Sequence, residues 1–413
     1  MGAAGRDFHA FNTNYRDNPF FEVVAFTATQ IPGIEKKAYP PALCGDLYPD
    51  GIPIQSENQL MDISVDRYFI VDVKLQILNI SSLEKYDSQK MYKIYDEWPK
   101  IARESFESEH KPIDFQNIDH IVFGGMGGSG SIGSVFSSVL SKTNIHVSVV
   151  KGYILPKTVN KNTIVIATSV SGNTVETLSI LNAAKKLNCK ILACSSGGKI
   201  EEFCHKNNIE YRKIPIIHSP RASFTSFLYS MLKILNQIIP INLEDINESI
   251  NELEKLKKKI SSDNLSLDNP AIELAKEISD IPLIYYPVGL ESVAIRFKNS
   301  LQENSKIHVM AENILEASHN GIVAWERESN VKPILIQGQD DHLKTKERYK
   351  IFKEYFELNQ IKFKEVYSIH GNILSKIINL IYLLDYTTIY RSVLLNTDPS
   401  PVKSIDFIKN KIS

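Results

Sequence analysis

Two short apolar runs in this chain each break into a loop of glycines or hydroxyls and then into a helical pattern, an order that leaves few folds open. The second copy is the clearer. Ile164, Val165, Ile166 and Ala167 have the length and branching of a parallel strand covered on both faces. After Thr174, the residues Val175, Leu178, Leu181 and Leu187 fall on one helical stripe. Between the two periods lie Ser169, Ser171, Gly172, Asn173 and Thr174. A helix N-terminus offers unpaired backbone N–H groups and the positive end of a dipole, and short hydroxyls beside it suit a phosphate monoester. Ser and Thr are also the ordinary N-cap residues, so this stretch alone fits a plain capped loop equally well.

The other copy favours the ligand reading. His120, Ile121, Val122 and Phe123 form another strand-like run, followed by Gly124, Gly125, Met126, Gly127, Gly128, Ser129 and Gly130. So much glycine permits close backbone approach to a ligand at an entropic cost that an ordinary connection has little reason to carry. Gly125, Gly127 and Gly130 satisfy GxGxxG, but no acidic residue closes the next strand region, 145–150, as a dinucleotide site requires. NAD is not expected.

Together GGMGGSGSIG and SVSGNTVET resemble the two loops of the sugar isomerase (SIS) fold. From about Leu83 to the C-terminus the chain resembles the bifunctional phosphoglucose/phosphomannose isomerases, with several motifs in the family's order. The resemblance implies an α/β protein of two SIS-type doubly wound parallel-sheet domains. Residues 1–75 lie outside that pattern. GAAGRDFHAFN and the segment that follows it resemble the start of the cyclic 2,3-diphosphoglycerate synthetase family, without the strand expected ahead of its glycine turn. The expectation there is a truncated, incomplete Rossmann-like N-terminal appendage, with an open sheet edge, part of a core and no second active site. No GxxxxGK[ST] loop occurs in the chain.

The remaining chain is read in order. Residues 76–116 form a leading helical segment that Pro99 divides into two abutting helices. Residues 117–240 alternate strand and helix, with strands near Ile121, Val147, Val165, Leu192 and Tyr211, as a first SIS domain. Residues 241–270 are a linker helix with a solvated lysine face, then a turn-rich break. Residues 271–413 are the second SIS domain, with strands near 283–288, 308–311, 333–336 and 363–367 and a long apolar helix over 373–395. Two such halves place a cleft between them.

Aldose–ketose isomerisation requires opening the ring, moving a proton between C1 and C2 through a cis-enediolate, and holding the phosphate still. A base and a cation suffice, so no cofactor and no metal is obligatory. By resemblance, RFKNSLQENSK corresponds to the family's ENAK motif, which makes Glu303 the proton-transferring base; a glutamate held away from water is the stronger base. LEASHNGIVAW resembles ELNHNEIVGW, which makes His319 the ring-opening acid. Here Gly321 replaces the family's glutamate and Ala324 its glycine, and the first change removes a carboxylate from the site. Arg221 matches an arginine that stabilises charge on the reacting sugar, and Lys409 matches a lysine of the closing motif, with Lys403 and Lys411 nearby. Gly128, Ser129, Ser169, Ser171 and Thr174 are the expected phosphate ligands. Read without the motifs, Glu303 is a solvated helix residue and Arg221 a surface residue before a helix.

A net charge of −1 gives no electrostatic argument for nucleic acid or an anionic membrane. No apolar run reaches membrane-spanning length, the first residues lack a signal peptide's apolar core, and a cytoplasmic protein is expected. Four scattered cysteines make no disulfide framework, and Cys204 beside His205 reads as structural, since no CxxC or HxxxH accompanies it. The resemblance further implies a homodimer in which each His319 serves the partner's site. The competing readings are another SIS sugar-phosphate isomerase and a non-catalytic sugar-phosphate-binding regulator.

Overall fold

The computed structural model describes residues 8, 11–13, 15–17, 23–27, 37–55, 78–266, 268–279 and 281–412. The chain divides into two compact units, residues 1–75 and 76–413.

In the first unit, strands β1 (Phe26–Thr27), β2 (Ala38–Tyr39) and β3 (Ile52–Gln55) form a sheet of order β1-β3-β2. β1 pairs parallel and β2 antiparallel to β3, so the sheet is mixed. Phe11, Phe26, Tyr39, Cys44, Tyr48, Ile52 and Ile54 bury one another, giving the unit a small core of its own. The rest of the expected Rossmann-like appendage lies outside the described residues.

The second unit contains two parallel sheets. β4 (His120–Gly124), β5 (His146–Val150), β6 (Thr163–Ser169), β7 (Lys190–Ser195) and β8 (Glu210–Lys213) run in the order β5-β4-β6-β7-β8. β9 (Ile281–Tyr286), β10 (Met310–Asn313), β11 (Val331–Gln337) and β12 (Lys364–Tyr367) run in the order β10-β9-β11-β12. Both orders reverse direction beside their first strand, and in such open sheets ligands bind at the carboxyl ends flanking that reversal. In the first sheet the reversal falls between β4 and β6, the two strands that feed the glycine and hydroxyl loops.

The helix Ile373–Leu394 runs through the middle of this unit, buried almost all round, as an apolar helix of that length demands. Against it pack the helices Leu243–Ile260, Pro270–Glu277 and Glu291–Ser300. Leu243–Ile260 buries Ile246, Ile250, Leu253 and Ile260 and leaves Lys258 and Lys259 exposed. Among its described residues the leading segment holds three helices, Ile80–Tyr86, Met91–Asp96 and Trp98–Phe106, the last two abutting, and Pro99 sits in the first turn of the third, where a missing N–H costs nothing.

One sequence expectation is corrected. The helix after Thr174 spans Val175–Ala184 and buries Thr177, Ile180, Leu181 and Ala184, whereas Val175 and Leu187 are exposed. Ile180 faces the sheet directly, over Gly124, where a Cβ would meet its Cδ1 at 2.9 Å. Leu178 and Leu181 of the expected stripe pack with Ala167 and Ala193 of the sheet, so the stripe holds through the middle of the helix and fails at Val175 and at Leu187, which lies beyond the helix. Among the described residues no helix is long and apolar enough to cross a membrane.

Candidate active site

The two loops leave neighbouring strands at the same end, with Gly124 of β4 opposite Ala167 of β6. One opens into the helix Gly127–Leu140, the other into Val175–Ala184, so two helix N-termini face one region. The loops are tied together: Ser129 Oγ accepts the Val170 N–H at 3.1 Å. Within the second loop Ser169 Oγ accepts the Gly172 N–H at 3.1 Å and lies 2.8 Å from Thr174 Oγ1. Gly172 adopts φ 70°, and a Cβ there would overlap the Gly197 carbonyl oxygen, so only glycine closes this turn. Ser129 and Ser169 are buried, Thr174 is half-buried and Ser171 exposed. A hydroxyl that accepts an N–H still has its own proton to give, so Ser129 and Ser171 are oriented yet remain donors toward an anion, and of Ser169 and Thr174, which share one hydrogen bond, one proton remains.

Gly128 brings the first loop against the segment that carries Arg221; a Cβ at 128 would stand 3.1 Å from the Pro220 carbonyl oxygen. Arg221 is 6% exposed and almost fully engaged. Its Nε donates to Asn304 Oδ1 at 2.7 Å, and its Nη2 donates to the carbonyls of Pro399 and Ser400 at 2.6 and 2.8 Å. Nη1 lies 3.3 Å from Glu303 Oε2. Of the five donors of a guanidinium, one on Nη1 remains beyond these contacts, beside the Glu303 carboxylate. The backbone is fixed as well: the Arg221 carbonyl accepts from Arg296 Nη2 at 3.0 Å, and the Ala222 carbonyl from Trp98 Nε1 at 3.0 Å. The leading helical segment thus helps to hold the arginine.

Glu303 lies in a π-helical turn, Leu301–Ser305, that continues the helix Glu291–Ser300. Such turns widen a helix and recur at functional sites. Asn304 Nδ2 donates to Thr388 Oγ1 at 2.7 Å and Ser305 Oγ to the Thr388 carbonyl at 2.9 Å, which pins the turn to the central helix. Further back along the same helix, Arg296 pairs with the fully buried Asp385 at 2.5 Å. Ser300 Oγ and Tyr95 OH also donate to that carboxylate, at 2.8 and 3.3 Å. The Arg296 guanidinium rests 3.9 Å from the Phe224 ring centroid. A buried ion pair this completely hydrogen-bonded contributes to geometry more than to stability. The Glu303 side chain is 26% exposed and paired with a cation, so the cleft does not remove it from water as the sequence reading expected.

Sequence reasoning missed several supports of the site. Asn304, Arg296 and Asp385 are reached only across 75 to 89 residues of chain. Residues 398–400 form a strap over Arg221: Asp398 accepts from Ser88 Oγ at 2.5 Å and from the Ser400 N–H at 2.9 Å. Lys306, at φ 58°, ends the Glu303 turn and donates to the carbonyls of Glu303 and, at 3.3 Å, of Pro399. His218 stands near Asp87, Arg221 and Asp398, and burial draws its pKa down.

Two expected site residues make no contact with the Arg221–Glu303 pair within the chain. His319 is exposed in the turn after the helix Ile314–Ala317, its N–H donating to the Glu316 carbonyl at 2.9 Å. Lys409 lies on the helix Lys403–Ile412, which buries no residue. Among the described residues neither side chain forms a hydrogen bond or ion pair with Arg221 or Glu303. Beside His319, the expected loss of a carboxylate at Gly321 is offset: a Cβ there would lie 2.5 Å from both carboxylate oxygens of Glu312, which fill that space. Cys204 is fully buried, in a small apolar cluster with Leu181 and Ile200.

Comparison with known proteins agrees with this fold. Residues 114–239 match the SIS domain family, and residues 267–412 match the bacterial phospho-glucose isomerase C-terminal SIS domain. A bifunctional phosphoglucose/phosphomannose isomerase from Caldicellulosiruptor bescii is 34% identical over 314 residues, 73% of this chain and 91% of that protein. A glucose-6-phosphate isomerase like protein from Thermus thermophilus shares the fold, with a TM-score of 0.53 at 14% identity, covering 80% of this chain and 97% of its own. A 63-residue segment is 67% identical to arginine synthetase ArcE of Thermococcus kodakarensis. That segment is 15% of this chain and 14% of that protein, too little to carry its activity across. The chain belongs to the bifunctional phosphoglucose/phosphomannose isomerase family.

Proposed function

We propose that this chain interconverts glucose 6-phosphate or mannose 6-phosphate with fructose 6-phosphate, and that the cleft between its two SIS halves is the active site. The observation that carries the reading is the approach of Arg221 Nη1 to Glu303 Oε2 at 3.3 Å, beside the two tied loops. Gly128, Ser129, Ser169, Ser171 and Thr174 hold the phosphate, with helix N-termini behind them. In the open-chain aldose, Glu303 takes the proton from C2 and the electron pair moves toward the C1 carbonyl. Charge then develops on oxygen, where the remaining Nη1 donor of Arg221 meets it. Transfer of the O2 proton to O1 moves the charge to O2, and returning the carbon-bound proton to C1 as the C2 carbonyl forms gives the ketose. Glucose and mannose 6-phosphates differ at C2, the carbon that becomes planar, so both pass through one cis-enediolate.

His319 opens the ring in this scheme, supplied by a second copy of the chain in a homodimer. Its exposure, and its lack of contact with Glu303 in its own subunit, suit that exchange. Lys409 is kept as a site residue on its motif. The test is direct: purified protein with EDTA present should form fructose 6-phosphate from each of the two aldose phosphates. Turnover of neither would remove the reading, and turnover of one alone would remove its bifunctional half.

A further inference from the structure

Lys306 closes the ENSK stretch that carries Glu303, and the motif gave it no role. It sits at φ 58°, a left-handed backbone that costs most L-residues energy and that glycine or asparagine would enter more readily. The residue is exposed as a whole, but its ammonium turns inward, donating to the Glu303 carbonyl and to the Pro399 carbonyl at 3.3 Å. Arg221 Nη2 donates to that same Pro399 oxygen at 2.6 Å. One carbonyl of the strap therefore receives both cations, and one ammonium joins the Glu303 turn to the strap.

We propose that Lys306 is a positioning residue, whose ammonium locks the Glu303 turn to the strap at 398–400 and so holds the carboxylate against Arg221 Nη1. This rests on the isomerase reading. The ammonium acts on backbone, at the Glu303 and Pro399 carbonyls, and makes no hydrogen bond to the phosphate loops. The charged groups facing it are Arg221, Asp398 and Glu303, and burial together with Arg221 lowers its pKa to about 8. Guanidinium and carboxylate groups ordinarily titrate far from that pH. The lock is accordingly strongest at neutral pH and weakens as Lys306 loses its proton and with it the charge assistance of both hydrogen bonds.

The experiment compares wild type, Lys306→Asn and Lys306→Arg on both hexose phosphates from about pH 6.5 to about pH 10, a range that spans the lysine's titration and leaves arginine charged. Asparagine keeps the left-handed backbone and removes the cation; arginine keeps a cation that does not titrate in this range. Lys306→Asn should lower kcat on the order of ten- to a hundredfold with KM within about threefold, the pattern of a lost transition-state arrangement. Wild-type kcat should fall above about pH 8, Lys306→Arg should retain most activity with that alkaline limb displaced upward, and Lys306→Asn should lose the limb. Amide exchange at Thr397, Asp398 and Ser400 should quicken in Lys306→Asn, a readout independent of turnover. An unchanged kcat in Lys306→Asn, an alkaline limb shared by wild type and Lys306→Arg, or unaltered exchange would each overturn the proposal. Inactivity of wild type on both sugars would instead count against the isomerase reading.

Discussion

Arg221 and Glu303, 82 residues apart in sequence, meet at 3.3 Å through the one guanidinium nitrogen of Arg221 that the protein leaves partly free. The other side of the guanidinium is occupied by Asn304 and by two carbonyls of the strap. The arginine therefore cannot turn away from the carboxylate without breaking three hydrogen bonds.

The hydroxyls of the second loop should separate into ligand and scaffold. Ser171 is exposed and its Oγ accepts only from the Asn173 N–H, at a long 3.4 Å, so Ser171→Ala should raise KM and leave the melting temperature unchanged. One hydrogen bond to a charged group, roughly 1.5–3 kcal/mol, corresponds to a rise of about ten- to a hundredfold. Ser169→Ala should raise KM and also lower the melting temperature, because Ser169 holds both Gly172 and Thr174. An unchanged KM in both variants would remove the loop from the phosphate site.

Alkaline unfolding should report the buried thiols. Burial pushes Cys194 up to about 12 and Cys204 up to about 11 from an ordinary 9.0. Above about pH 9 the unfolded chain has lost thiol protons that the folded chain keeps, so this part of the stability is complete below that pH and declines as pH rises toward 11 and 12. Denaturation at about pH 8 and about pH 10.5, on either side of the unfolded thiol's titration, should show a smaller loss between the two for Cys194→Ala than for wild type. Equal losses would mean that this thiol is not withdrawn from water.

Removal of residues 1–75 should leave isomerase activity intact, because the first unit buries its own small core and every residue of the Arg221–Glu303 network lies beyond it. Steady-state assay of the truncated protein checks this. A folded but inactive product would give the first unit a role in catalysis.

Shared sites should show complementation. Glu303→Gln and His319→Ala should each be poor enzymes. In a mixed dimer with exchanged histidines, one site carries both defects and the other neither. With random pairing of equal amounts, about half the dimers are mixed and half of their sites intact, so activity should return to about a quarter of wild type. A histidine serving its own subunit would leave a defect in every site and give no recovery from confirmed mixed dimers.

What could be read in the sequence was what local pattern encodes. The strand, loop and helix order around Gly128 and Ser169 is written in consecutive residues, and so are the π-turn glutamate and Arg221 once the motifs are noticed. The supports were not legible because their partners are distant: Arg296 meets Asp385 across 89 residues, and Arg221 meets Pro399 across 178. Nothing local marks Asp385 as an anchor within an apolar helix, except that a carboxylate among so many buried neighbours needs a cation. Glu312 illustrates the same limit. The motif at 319–325 shows a missing carboxylate, and only the fold shows Glu312, from the strand Met310–Asn313, filling the gap. The stripe holds at Leu178 and Leu181 and fails at Val175 and Leu187, because spacing identifies a helix without revealing where it ends or that Ile180 shares its buried face.

The most direct measurement of the central claim is steady-state turnover of glucose 6-phosphate and mannose 6-phosphate by wild type and Glu303→Gln, with the folded state of both checked by melting. The substitution keeps the shape and removes the base. The account predicts that kcat falls for both sugars alike, by about a hundredfold to ten-thousandfold. Loss of activity on one sugar with retention on the other would contradict a single base beside Arg221 acting through one shared enediolate.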